Sequence, residues 1–305
     1  MAMLLLAALS GALTASPPPP PPGSPAAPLV VTTAWLADHL HDKGLLLFQI
    51  GDRATRALYD STHIPGAQFL APLSEFSTPR VEGALNLELP SVAVLDSVFE
   101  SKGISDDSRI VLYFAREYFS PTSRAFFTLE YMGLAGRVSI LDGGLEAWRK
   151  EGRPVTDVVP VVAAGHFTPH PNPELVADAA FVRAHLEDKA VRIVDARDTS
   201  FYNGRETHQG RNGHIPGAAS LYFGRVVDSS GKFLSPIQLK ALFNDAGVQP
   251  GQTVVTYCHI GQQASFVWFA ARYLGFNAKL YDGSFQDWAA RTELPVVNPG
   301  APKPE

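Results

Sequence analysis

The chain has 305 residues, with 25 Lys and Arg against 30 Asp and Glu, and nearly half of it is apolar. That length exceeds one ordinary core and suits two, while the scattered charges and slightly negative balance exclude a basic nucleic-acid-binding stripe. A single cysteine, Cys258, excludes an internal disulfide and a cysteine-rich zinc site, leaving either a buried small hydrophobe or a reactive thiol.

Residues 1–28 open the chain with an apolar run over 3–13, shorter than the roughly 20 residues a membrane-spanning helix needs. Small residues at Ala12, Ala15 and Ser16 offer a cleavage region, so the run reads as a secretory signal, although no Lys or Arg precedes it and no A-x-A site is completed. Export to the periplasm or beyond is expected, with no stable membrane insertion after cleavage. The competing reading is an uncleaved tail in the cytoplasm. Proline lacks the donor that helix and sheet require, so residues 17–28 read as an extended spacer.

From Leu29 onward one order of elements is written twice. A strand-like run ends in an acid and an arginine, "LLLFQIGDR" (45–53) and "VRIVDAR" (191–197); "HIPGA" follows at 63–67 and 214–218. Next come "RIVLYFA" (109–115) and "TVVTYC" (253–258), each leading into a helical pattern, and then "SILDGGLEAW" (139–148) and "KLYDGSFQDW" (279–288). Apolar strands alternating with amphipathic helices predict an α/β fold in each copy, a parallel sheet covered by helices on both faces. The copies are placed at residues 29–153 and 174–298, joined by a Pro-rich linker at 154–173 and followed by a tail at 299–305. His166 and His170 in the linker lack a third metal ligand and read as solvated.

Cys258 closes the second copy's strand and opens a short loop, "CHIGQQ", onto a helical segment. In open α/β sheets that edge binds ligands. Backbone N–H groups and the helix dipole favour an anion there and are expected to lower the thiol pKa from about 8.5 toward or below neutrality. Gly261 suits the positive φ of a tight cradle. Aligning Tyr113 with Tyr257 puts Phe114 at the thiol's place, so the first copy has no nucleophile.

The duplicated strand-loop-helix order, the two "HIPGA" motifs, the cysteine loop and the paired "DG...W" segments resemble the rhodanese family of sulfurtransferases over nearly the whole of residues 29–298. The resemblance implies that the second copy is catalytic and that Cys258 accepts a sulfane sulfur as a persulfide and passes it to cyanide or a thiol. It implies a small anionic sulfur donor and no metal or organic cofactor, and we expect a monomer. Arg197 matches the family's anion-binding arginine, whose fork suits an oxyanion; the alternative is a structural pair with Asp195. Arg205 is a second donor-binding candidate, with Arg211 as its competitor. The loop residues His259, Ile260, Gly261, Gln262 and Gln263 complete the expected substrate site, with His259 either charged near neutral pH or turned to solvent. His63 and His214 recur in both copies and read as structural, Trp148 and Trp288 as packing residues, and Arg116 or Arg124 as interdomain pairs or as contacts to the active loop.

Two other functions compete. Phosphatases and arsenate reductases use C-x5-R, but that arginine's place is Ala264 here. A sulfide-sensing module without turnover is favoured by what the loop lacks, since thiosulfate-type loops usually read C-R-K-G-x-T and mercaptopyruvate-type loops C-G-S-G-x-T. The retained cysteine, glycine and helix favour an enzyme. His259 and Ile260 replace small residues beside the thiol, which favours compact thiosulfate over 3-mercaptopyruvate.

Overall fold

The computed structural model describes residues 27–116, 119–208 and 210–300, so all but the last two residues of the leader and spacer expected over residues 1–28 lie outside the described residues. Among the described residues ten strands form two sheets. The first holds β1 (Val30–Val31), β2 (Leu45–Ile50), β3 (Ala67–Leu70), β4 (Arg109–Phe114) and β5 (Val138–Leu141) in the order β1-β5-β4-β2-β3. The second holds β6 (Val176–Ala177), β7 (Val191–Asp195), β8 (Ala219–Ser220), β9 (Thr253–Tyr257) and β10 (Asn277–Tyr281) in the equivalent order β6-β10-β9-β7-β8. All neighbours within each sheet are parallel. The tandem α/β architecture read from the sequence is the one observed.

The strands are parallel because each β-to-β connection crosses over a helix or loop layer, and the central ones are apolar along both faces because both faces are covered. Two helices, Phe119–Leu129 and Gln262–Tyr273, lie between the sheets. They are buried on nearly every side, from Ser120 to Leu129 and from Ala264 to Ala271, and their polar side chains bond across the interface, Ser123 to Ser265 and Gln262 to Ser120. Phe126 meets Phe269 edge-on at 4.8 Å and Phe127 meets Trp268 edge-on at 5.0 Å. One apolar cluster therefore runs through both copies. Among the described residues no helix is long and apolar enough to cross a membrane.

The linker is exposed over most of its length, His166 and His170 included, but it does not hang free. It is strapped along the first copy: Thr156 pairs with His63, Gly165 N–H donates to the Glu100 carbonyl, and His170 and Asn172 N–H donate to the Met132 and Tyr131 carbonyls. Phe167 is buried against Phe99. Proline-rich composition signalled absence of helix and sheet periodicity, but not where the free backbone groups would bond.

One repeated motif also needs correcting. Tyr113 and Tyr257 each accept a hydrogen bond from a HIPGA isoleucine N–H, Ile64 and Ile215, both at 3.1 Å. Cross-strand register then sets Gln49 opposite Tyr113 and Asp195 opposite Tyr257. Counting on, Gly51 occupies the place of Arg197, and Asp52 that of Asp198. Asp52 and Asp198 are both turn caps, accepting from Thr55 N–H at 3.0 Å and Ser200 N–H at 2.9 Å. The acid and arginine at the strand end are thus not duplicated; they exist only in the second copy.

Candidate active site

Cys258 follows the last residue of β9, at the C-terminal edge of its sheet, and is 0 % exposed. Gly261 precedes the helix Gln262–Tyr273 with φ 80°, the left-handed turn that curls the loop back over the sulfur. A Cβ at that position would fall 2.7 Å from the Asp282 carbonyl oxygen, so the loop passes where only glycine fits. The backbone N–H groups of Ala264, Ile260, Gln263 and Gly261 are directed at the thiol. Such a ring of fixed dipoles is suited to a thiolate or to the terminal sulfur of a persulfide.

Burial nevertheless prevails over the amides and pushes the Cys258 thiol pKa up. The lowering expected from the loop and dipole is corrected accordingly: removal of water costs the charged form more than four neutral donors return. Cys258 N–H donates to Ser284 Oγ at 3.1 Å, and the Cys258 and His259 carbonyls accept from Phe285 and Gln286 N–H, both at 3.0 Å. The cysteine is held from the backbone as well as from the loop.

Arg197 is 2 % exposed and its fork is engaged. Nε donates to Asp195 Oδ1 at 2.9 Å, and Nη2 to Asp195 Oδ2 at 2.6 Å and the Gly213 carbonyl at 2.7 Å. Its Cζ lies 4.1 Å from the centroid of Phe285. Burial works to lower the guanidinium pKa, but Asp195, with smaller contributions from Tyr257 and Cys258, more than offsets it and keeps the group charged. Arg197 therefore makes the pair with Asp195 weighed as its alternative, through Nε and Nη2, close to Cys258.

His259 is neutral at physiological pH. Desolvation, then the nearby Arg197 and His208, depress its pKa to about 4 against a weaker opposing pull from Asp195. Its ring sits edge-on to Phe201 at 4.5 Å and to His208 at 4.9 Å, and Nδ1 is buried without a partner. The charged form expected as one possibility is thus overturned by burial between rings. Ile260 is half-buried. Gln262 Nε2 donates across the interface to Ser120 Oγ at 3.3 Å, and Gln263 Oε1 is buried and unpaired. Arg205 is exposed, whereas Arg211 caps the carbonyls of Arg291 and Leu294 at 3.2 and 3.0 Å. Of the two candidates, the structure thus engages Arg211 in backbone contacts and leaves Arg205 at the surface.

Arg124 makes the interdomain pair read for it from the sequence, and several other contributors were not legible there. Arg124, 0 % exposed, crosses from the first copy to pair with Asp282 and donates to the Leu87 carbonyl at 2.6 Å, directly behind Gly261. Glu88, facing Asp282, Arg124 and Asp287, has its pKa pushed up to about 8, first by desolvation and then by Asp282. Ser284, Phe201 and His208 complete the surroundings. The one sequence signal was the exchange of "DGG" for "DGS". Among the described residues no group of three or more His, Cys, Asp or Glu is arranged to hold a metal ion.

A duplicated parallel α/β domain with one buried thiol inside a ring of backbone amides, at the ligand-binding edge of one copy, defines a protein built for nucleophilic sulfur chemistry. The chain belongs to the rhodanese-like domain family, which it matches at residues 32–151 and again at 178–291. It is 31% identical over 284 residues to the sulfur carrier protein TtuD of Thermus thermophilus, covering 88% of this chain and 96% of that one. It is 30% identical over 285 residues to a thiosulfate sulfurtransferase of Corynebacterium glutamicum, covering 88% and 89%. The crystal structure of SseA from Escherichia coli, a 3-mercaptopyruvate sulfotransferase, superposes with a TM-score of 0.74 at 27% identity, covering 84% of this chain and 98% of that one.

Proposed function

We propose that the protein is a sulfurtransferase in which Cys258 carries the transferred sulfur as a persulfide, with thiosulfate the preferred donor. The observation that carries this is the four amides of Ile260, Gly261, Gln263 and Ala264 converging on a thiol that only one copy possesses. The Cys258 thiolate attacks the outer sulfur of thiosulfate, the S–S bond of the donor breaks, and sulfite departs with the bonding pair. A thiolate or cyanide then attacks the outer sulfur of the persulfide and returns Cys258 as thiolate. The amides stabilise charge on sulfur in both steps without a metal or organic cofactor.

Donor choice follows from space and charge. His259 and Ile260 follow the thiol where mercaptopyruvate-type loops carry small residues, which favours compact thiosulfate over a carbon-bearing donor. Arg197 is neutralised by Asp195 and His259 is uncharged, so the dianion is held mainly by neutral donors. Each missing charged contact costs about 1.5 to 3 kcal/mol, or roughly one to two decades of affinity. A weak KM for thiosulfate is therefore expected, improved by Gln262→Arg. Comparing kcat/KM for thiosulfate and 3-mercaptopyruvate at pH 7.5 tests the reading; a higher value for mercaptopyruvate overturns it. Export through residues 1–28 is proposed alongside, and N-terminal sequencing of the mature protein decides it.

A further inference from the structure

The cysteine loop rests on a five-residue bridge, residues 282–286, whose two sides face different copies. On one side Ser284 Oγ accepts from Cys258 N–H, and the Phe285 and Gln286 N–H groups hold the carbonyls of Cys258 and His259. On the other side Asp282 pairs with Arg124 and accepts from Leu89 N–H at 2.9 Å, while Gln286 Oε1 accepts from Asn86 N–H at 3.0 Å and Asn86 Nδ2 at 3.1 Å.

The internal repeat supplies a control for this bridge. Where the second copy has Ser284, the first has Gly144, and both sit in the left-handed region, at φ 52° and 55°. Glycine is at ease there and serine is strained. In the first copy a Cβ would fall 2.3 Å from the Phe114 carbonyl oxygen, so glycine is required. The second copy keeps a serine, and its Oγ both accepts from Cys258 N–H and donates to the Tyr281 carbonyl at 2.9 Å. The strand ends differ to match. β4 runs through Phe114, opposite Ile50, whereas β9 stops at Tyr257 and the Cys258 amide turns to Ser284. A strained residue persists only where its surroundings over-determine it, and here both flanks, Asp282 and Gln286, are anchored to the first copy.

We propose that Ser284 is the positioning residue for Cys258, and that the first copy holds Ser284 in its left-handed conformation through Asp282 and Gln286. The thiol-free copy thereby sets the geometry of the reacting sulfur. The proposal rests on Cys258 being the sulfur-carrying nucleophile.

Ser284→Gly imports the first copy's residue and tests it. Relief of strain should hold or raise the urea midpoint, whereas single-turnover persulfide formation from thiosulfate should slow by about tenfold or more with donor KM unchanged, since a misplacement near 1 Å can cost on the order of a hundredfold. Released from its amide anchor, the thiol should gain water, so its alkylation by iodoacetamide should quicken at pH 8 and titrate nearer an ordinary thiol. Gln286→Leu, which removes side-chain bonds to Asn86 and Ala84, should move the alkylation profile the same way by less. If Ser284→Gly fails to fold, Ser284→Ala carries the same expectation for persulfide formation. Ser284→Gly with a wild-type persulfide rate and unchanged alkylation overturns the positioning role, and Gln286→Leu that changes only the midpoint overturns the part assigned to the first copy. Alkylation is read without any donor, so a wild-type protein that forms no persulfide would refute the proposed function and leave this test standing.

Discussion

The two copies keep the same scaffold bonds. Tyr59 and Tyr202 donate to the carbonyls of Ala67 and Ala218, His63 and His214 stack on those tyrosines and bond their carbonyls, and Trp148 and Trp288 donate to the carbonyls of Pro154 and Pro295. They differ around one sheet edge, where Gln49, Gly51, Phe114 and Gly144 stand in place of Asp195, Arg197, Cys258 and Ser284. The first copy fills the resulting space with rings: a Cβ on Gly51 would meet Phe69 at 2.7 Å, and Phe114 packs edge-on to Phe119 at 4.5 Å. The bonds that make the fold are thus separable from those that make the site. A copy relieved of chemistry trades an ion pair and a strained serine for apolar packing.

The sharpest way to break that comparison is at the thiol. Cys258→Ala should abolish turnover and the one-sulfur mass increase on thiosulfate treatment while leaving the fold intact. The reciprocal Phe114→Cys should gain no activity, because Gly51 and Gly144 supply neither the buried charge nor the amide anchor. Measurable turnover by Phe114→Cys in a Cys258→Ala background would show that the surrounding differences are incidental. Next in size is the ion pair. Arg197→Ala leaves Asp195 buried and unpaired and should cost about 3–5 kcal/mol in a urea titration. The double replacement Asp195→Gln with Arg197→Gly, which imports the first copy's residues, should cost less than Arg197→Ala alone. The reverse ranking would make the arginine's contacts to Gly213 and Phe285 more important than the charge.

How much of this was legible depends on the range of the interaction. Strand and helix periodicity, the two HIPGA turns and the cysteine between strand and helix are local patterns, and the duplicated fold and its thiol followed from them. The Asp-x-Arg motif misled because the acid of the first copy lies past the strand end, at a turn cap, and a three-residue offset is invisible until cross-strand register is known. The state of the thiol and of His259 was hidden for another reason. Dipoles and neighbours can be listed from a sequence, but the desolvation that outweighs them belongs to the packed structure. Arg124 was legible as an interdomain pair or loop contact, but its neighbours Asp282 and Glu88 come from segments far apart in the chain, and no spacing announces them.

Glu88 gives a smaller, pH-dependent test of the interface between the copies. It faces Asp282 and Asp287, with Arg124 the cation beside it, and Tyr281 and Arg291 bond Asp287. Its pKa is about 8 in the fold against 4.5 ordinarily, so between those values the native state holds a proton that the unfolded chain has released. Stability from this group is full below pH 4.5 and lost as pH rises to 8. Glu88→Gln mimics the protonated form. It should match the wild type at pH 4.5 and exceed it by about 2 kcal/mol at pH 8, a value reduced for partial exposure of the side chain. Equal denaturation midpoints at pH 8 would mean that the carboxylate ionises freely and that the interface is indifferent to its charge.

The smallest effect is expected at His259, the loop residue with no charge to lend. With its pKa near 4, it is neutral throughout the range where the thiol begins to ionise. A group depressed in this way contributes stability that is present above its ordinary pKa of 6.5 and is lost as pH falls toward 4, because the unfolded chain takes up the proton first. The wild-type rate of persulfide formation should therefore show no limb near pH 6.5 from this residue, and should instead climb with the Cys258 thiolate above pH 8. His259→Phe preserves a ring between Phe201 and His208. It should alter kcat by less than about threefold, well below the roughly hundredfold or more that a general acid or base supplies. It should also soften the loss of stability between pH 6.5 and 4. A rate limb near pH 6.5 that disappears in His259→Phe would give His259 a charged role in the reaction, and would return to the second copy a cation that its buried geometry otherwise withholds.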